Sequence, residues 1–142
     1  TSGGVITFGG VVVKSWSKQQ KVVSLSSGEA ELYAAVKLGT ELLGIKSLAA
    51  DFGVEVKLHM YLDAKATIGM LSRKGAGSMK HVEVNNFWLQ NAVASKLITV
   101  HKIPTDDNFA DLLTKYLTGE RITHLCNIMK LARFDKAVTH RL

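Results

Sequence analysis

The order of its patterns is what most constrains how this chain can fold. Three short β-rich runs come first, at Val5 to Phe8, Val11 to Trp16 and Val22 to Leu25. From there to the C-terminus, helical and extended patterns alternate. Gly9-Gly10 separates the first two runs and reads as a hairpin turn. The third run follows the basic turn Lys18-Gln19-Gln20-Lys21. Ser26-Ser27-Gly28-Glu29 offers a serine cap and an early acid to a helix running to about Ala50 and stopping near Phe52-Gly53. Lys57 to Leu62 reads as a strand, followed by a short helix to about Arg73 and a loop over Lys74 to Ser78. A helix from Lys80 to about Lys96 precedes a strand from Leu97 to Ile103, which Pro104 closes. Two helices complete the pattern, from about Asp106 to Tyr116 and from about Thr118 to Phe134. Strands first, then helix and strand in alternation, imply an α/β layer fold with a mixed sheet flanked by helices.

At 142 residues and 46% hydrophobic, the chain has apolar material for one core. No apolar run approaches the roughly 18 residues of a membrane span. Cys126 is the single cysteine, which rules out an internal disulfide and a cysteine-rich zinc site; its neighbours Leu125, Ile128 and Met129 place it in a core. The five histidines show no metal-ligand spacing in sequence. The formal charge of +6 and the pI of about 9.5 suit a polyanionic partner. The opening Thr1-Ser2-Gly3-Gly4 leads straight into a strand pattern with no Met and no signal-peptide pattern, as in an excised fragment.

Three acids are candidates for chemistry, each with a plainer role beside it. Glu31 heads a helical stripe with Ala35, Leu38, Leu42, Ile45 and Ala49. A half-buried Glu there asks for a cation, or else it is a first-turn acid reaching water. Asp63 ends an apolar strand, where α/β folds place their sites, or it caps the following helix. Asp111 points away from the stripe of Phe109, Leu112, Leu113 and Tyr116, and on periodicity alone it is a solvated helical acid. Oxygen-only ligands of this kind select Mg²⁺ or Mn²⁺.

Six stretches in order carry a family resemblance. They are Thr1-Ser2-Gly3 with Gly9-Gly10; Ser15-Trp16-Ser17-Lys18-Gln19-Gln20-Lys21; Ser24 through Tyr33, with Glu29-Ala30-Glu31; the strand ending at Asp63; Lys80-His81-Val82-Glu83-Val84 into Phe87; and Ile103-Pro104-Thr105 with Ala110-Asp111-Leu112-Leu113-Thr114-Lys115. In order and spacing, over nearly the whole chain, they resemble the ribonuclease H domain of copia-type retrotransposon Pol polyproteins. Departures are Ala64 where a polar residue is usual, Tyr116 where Pro is usual and Gly28 where Thr is more common.

The resemblance implies a ribonuclease H-like fold over residues 1–117, with a C-terminal helix and tail over 118–142. It implies an endonuclease that hydrolyses the RNA strand of RNA–DNA hybrids using two Mg²⁺ (or Mn²⁺) ions, beside a reverse transcriptase domain of the same polyprotein. Such a protein would work inside the cell, in cytoplasmic virus-like particles, and would be neither secreted nor membrane-bound. Glu31, Asp63 and Asp111 become catalytic metal ligands. Lys18, Lys21, Arg73, Lys74, Lys80 and His81 become candidate phosphate contacts. In the family a further catalytic Asp lies upstream of the Thr-Ser-Gly segment, on the central strand of the sheet. The fold expected here therefore lacks that strand, and the chain by itself is expected to be inactive. The alternative is a catalytically dead, nucleic-acid-binding or structural remnant.

Overall fold

A computed structural model of the chain describes residues 1–19, 27–73 and 84–131. The expected strand at Val22 to Leu25, the loop from Lys74 to Ser78 and the start of the helix after Lys80 lie outside the described residues; the last helix, expected to run to about Phe134, instead ends at Ile128, and Lys130 turns left-handed (φ 55°) just beyond it.

Strands β1 (Ser2–Phe8) and β2 (Val11–Lys18) form the expected hairpin, antiparallel and with Gly4 opposite Trp16. Gly9 (φ +59°) and Gly10 (φ +82°) make its two-residue turn, where both positions sit in the left-handed region that glycine tolerates best. Helix α1 (Ser27–Asp51) follows. It buries Leu32, Ala35, Gly39 and Leu42, a line at three- and four-residue spacing. It ends as expected: Gly53 turns left-handed (φ +74°) and the Val54 N–H closes on the Ala49 carbonyl at 2.9 Å.

Strand β3 (Leu58–Leu62) leads through α2 (Lys65–Ser72) and α3 (Val84–Ala94) to β4 (Ile98–Lys102). β3 and β4 pair in parallel, with Leu58 opposite Ile98 and Leu62 opposite Lys102. Parallel strands need such a helical crossover. Leu58, Met60 and Ile98 point inward and meet Leu71 of α2, Leu89 and Ala92 of α3, Leu32, Ala35 and Leu42 of α1, and Ile6 of β1 in one core. Gly39 lets α3 approach α1, since a Cβ there would stand 2.8 Å from Leu89 Cδ1 and 2.9 Å from Trp88 Cη2.

The architecture is mixed α/β, with antiparallel and parallel pairing both present, and it is compatible with a ribonuclease H-like fold. Among the described residues the strands form two separate pairs, β1-β2 and β3-β4, rather than one continuous sheet.

One expected helix is broken. In place of a helix from Asp106 to Tyr116 there is a single 3₁₀ turn (Thr105–Asp107), a bend at Asn108, and the short α4 (Asp111–Thr114). The Asn108 side chain accepts the Ala110 N–H at 3.1 Å, a local bond that competes with helix continuation. The break shifts the phase of everything after it. Asp111, expected to be solvated, is 3% exposed, and Tyr116, expected to be buried, is fully exposed. Helix α5 (Gly119–Ile128) starts where expected, with Thr118 as its cap accepting the Arg121 N–H. Cys126 is only half-buried, while Leu125 and Met129 take the inward positions.

Lys96 follows α3 with φ 60°, a left-handed conformation that costs an L-residue with a Cβ about 1 kcal/mol or more. Lys96→Gly should therefore stabilise the chain by about 0.5 kcal/mol after the added freedom of the unfolded state is subtracted. Chemical denaturation should show this as a higher midpoint with an unchanged slope.

Candidate active site

An open groove of about 690 Å³ separates the two strand pairs. One wall is β1 on the side away from β2, from Gly3 to Phe8. The other wall is β3 with the residues before it. The floor is the face of α1 that carries Glu31, Ala35, Leu38, Leu42 and Ile45. The stripe read from the sequence is thus real, and most of it lines this groove. From Glu31 to Ile45 the helix rises about 21 Å, the length of a strand of roughly six residues.

Asp63 also lines the groove, just beyond the end of β3. It is not the cap of α2: that place falls to Ala64, which offers no side-chain bond. Its carboxylate instead accepts the Asn108 amide at 3.1 Å. Asn108 therefore both breaks the chain's helical course and fixes Asp63.

Asp111 is placed by contacts on the opposite side of α4. The Ser17 hydroxyl of β2 donates to the Leu113 carbonyl at 2.7 Å. Gly3 of β1 leaves room for Thr114, whose Cγ2 would stand 2.7 Å from a Cβ at that position. Buried Asp111 is paired twice: Oδ1 with the Lys115 ammonium at 2.8 Å and Oδ2 with the Arg121 guanidinium at 3.1 Å. Arg121 also grips Asp106 at 2.5 Å and the Thr105 carbonyl at 2.6 Å, tying α5 to the 3₁₀ turn.

The three acids share one electrostatic environment. Glu31, expected to be half-buried, is exposed as a residue, yet partial burial of its carboxyl pushes it above its ordinary value of 4.5, and the neighbouring Asp63 pushes it further; Lys115 opposes the rise and Asp111 adds to it. Helix α1, strand β3 and helix α4 thus bring Glu31, Asp63 and Asp111 within electrostatic reach of one another. Glu29, by contrast, is not in the groove and accepts the Tyr33 hydroxyl at 3.4 Å.

A raised carboxyl pKa in the fold carries a definite sign. The folded chain binds the proton more readily than the unfolded one. Relative stability from this group is fully present below the ordinary Glu value and is lost as pH rises through the higher folded value. Glu31→Gln removes that loss. It is expected to raise the melting temperature at pH 7 and to leave it unchanged near pH 4, which thermal melts at the two pH values would check.

Of the six candidate phosphate contacts, Lys18 at the end of β2 and Arg73 after α2 are exposed. Lys21, Lys74, Lys80 and His81 lie outside the described residues. The sequence reading missed Asn108, Lys115 and Arg121 as site residues; the only local signal was Asn108 itself, a poor helix former inside the expected helix and three residues before Asp111. It also missed a histidine pair. The parallel register of β3 and β4 brings His59 Nδ1 to 2.9 Å from His101 Nε2, and Tyr61 stacks on His101 at 4.9 Å.

Comparison with known proteins gives this site a context. The chain is 35% identical over 129 residues to the retrovirus-related Pol polyprotein from transposon TNT 1-94 of Nicotiana tabacum, a match covering 89% of the chain and 10% of that protein. It is 31% identical over 121 residues to each of the retrovirus-related Pol polyproteins from transposons RE2 and RE1 of Arabidopsis thaliana, covering 83% of the chain and 8% of those proteins. The chain is homologous to a segment of plant-transposon Pol polyproteins. It spans about a tenth of the length of these Pol relatives. No family model matches the chain, and no solved structure does. No helix among the described residues is long and apolar enough to cross a membrane.

The donor set of this chain is made of carboxylate oxygens, the chemistry of a hard divalent cation. As placed, no three acidic, histidine or cysteine side chains among the described residues meet around one ion. Asp111 is turned to Lys115 and Arg121. The set suits a divalent cation by the chemistry of its donors, and as placed it does not converge on one among the described residues.

Proposed function

We propose that this Pol segment is the ribonuclease H part of a copia-type retrotransposon polyprotein, hydrolysing the RNA strand of RNA–DNA hybrids with divalent cations, Mg²⁺ or Mn²⁺. The observation that carries the proposal is the gathering of Glu31, Asp63 and Asp111, from three distant stretches of chain, beside one open groove. Glu31 and Asp63 line the groove, and both Asp63 and Asp111 act on the Glu31 carboxyl. Like charges gathered in this way repel unless cations join them, and among the described residues only Asp111 of the three has ion-pair partners, Lys115 and Arg121.

In this reading Glu31, Asp63 and Asp111 hold the cations, and Asn108 orients Asp63 from behind. Bound there, two Mg²⁺ ions would acidify the attacking water and stabilise the leaving 3′ oxygen. Lys18 and Arg73 add positive charge suited to a phosphate backbone. The groove is the seat of an extended segment from elsewhere in the polyprotein, which would pair with the edges of β1 and β3 that are unpaired among the described residues and bring a fourth carboxylate to the acids. Four acidic ligands are the usual complement for two such ions, and unpaired strand edges invite such pairing.

A second reading, a catalytically dead module, is favoured by the ion pairs that already occupy Asp111. An end-labelled RNA–DNA hybrid, RNA duplex and DNA duplex incubated with the longer polyprotein fragment and Mg²⁺ separate the two. Cleavage of the hybrid's RNA alone, abolished by chelator, supports the enzyme. Tight hybrid binding without cleavage supports the module.

A further inference from the structure

Among the described residues two cations touch Asp111, and they differ in kind. Arg121 is largely enclosed, with its side chain 26% exposed, and is held by three further anchors: the Thr105 carbonyl, the Asp106 carboxylate and its own place in the first turn of α5. Lys115 is 53% exposed and pairs with Asp111, one helical turn away; it has no other ion pair among the described residues. Its charge also reaches Glu31, so one flexible ammonium serves two of the three acids. A lysine ammonium is a strongly hydrated point charge on a four-carbon stem, easily moved into water; a guanidinium held in a planar fork is not.

We propose that Lys115 is a built-in counter-cation of the acid cluster, which an incoming divalent ion must displace, and that Arg121 is the fixed positioning residue that keeps Asp111 in place during the exchange. The proposal rests on the reading that the acids take a divalent cation. It accounts for two observations together: the acids stand near one another without repelling the fold open, and no three of them yet meet around one ion. The chain's own charge fills the role until the cation arrives. The exchange costs binding strength and keeps the cation-free site from unravelling.

The test uses Mn²⁺ as the probe and the chain joined to its upstream polyprotein segment. Mn²⁺ affinity is measured by electron paramagnetic resonance for the wild type and for Lys115→Met, Lys115→Arg and Asp63→Asn. In parallel, the amine reactivity of Lys115 is followed by acylation and mass spectrometry with and without Mn²⁺. Removing one nearby, partly screened charge should tighten Mn²⁺ binding by about three- to tenfold in Lys115→Met. Lys115→Arg keeps the charge and should bind no tighter than the wild type. Mn²⁺ should raise Lys115 acylation in the wild type and leave it unchanged in Asp63→Asn. If Mn²⁺ binds in a manner that depends on Asp63 while Lys115→Met binds it equally or more weakly, and Lys115 acylation does not rise, the counter-cation role is overturned and the metal-site reading stands. Absence of any Asp63-dependent Mn²⁺ binding overturns both.

Discussion

In the longer polyprotein fragment, under the proposed function, Asp63→Asn is expected to lower the rate of hybrid hydrolysis by at least about 100-fold, because residues standing only behind a metal ligand are already worth about 10–100-fold. The fold should survive the change. Asp63 accepts a single side-chain hydrogen bond, from Asn108, and an amide oxygen can accept the same bond. The substitution therefore removes a charge and leaves a shape. At Glu31 the consequence runs the other way: losing the Asp63 charge relieves one of the two acids that raise its carboxyl pKa. Single-turnover kinetics at saturating Mg²⁺, alongside a thermal melt, check both halves of the expectation. An unchanged rate with an intact fold would remove Asp63 from the site.

Leu89→Ala is expected to have the largest effect on stability, a loss of about 3–4 kcal/mol. Leu89 is fully buried, at 0% exposed, on α3. Its Cδ1 lies over Gly39, where α1 and α3 come closest. The residues around it belong to rigid elements: Met60 on β3, Ile98 on β4 and Leu42 on α1 are all buried in the same core. Little can collapse into the space left behind, so the cavity cost adds to the lost transfer energy. Leu48 provides the control, since it is 53% exposed on the C-terminal part of α1 and its truncation should stay within about 0.5 kcal/mol. Urea denaturation of the two variants measures the contrast. Equal losses would mean that α3 is not seated on α1 as described.

How far the sequence could be read depended on the distance over which each signal acts. The hairpin was legible because Gly9-Gly10 is a local turn signal flanked by β-rich runs. The end of α1 was legible because Gly53 stops a helix by its own conformation. The position of Asp63 was legible because a strand pattern ends there. The stripe headed by Glu31 was also visible, though its use was not: periodicity marks a non-polar face without saying whether a core or an open groove lies against it.

The stretch around Asp111 was misread for a physical reason. A run of apolar residues at helical spacing predicts one continuous helix, and one side-chain bond from Asn108 was enough to divide it and turn Asp111 inward. No period can reveal that. The resemblance to a family, carried by Ala110-Asp111-Leu112-Leu113, was the only sequence signal for this acid. Arg121 and the His59–His101 pair were invisible for another reason. Each depends on a contact between elements far apart in sequence, the docking of α5 on the 3₁₀ turn in one case and the parallel register of β3 and β4 in the other.

In the proposed function the acids and the groove are parts of one metal-dependent nuclease site that an extended segment completes. The measurement that tests it most directly is hydrolysis of a labelled RNA–DNA hybrid in Mg²⁺ by this chain alone and by the same chain extended upstream within its polyprotein. The expected result is cleavage of the RNA strand by the extended form and essentially none by the chain alone. Equal cleavage by both forms would contradict the role given to the groove, and a folded extended form that binds the hybrid without cutting it would contradict the enzyme.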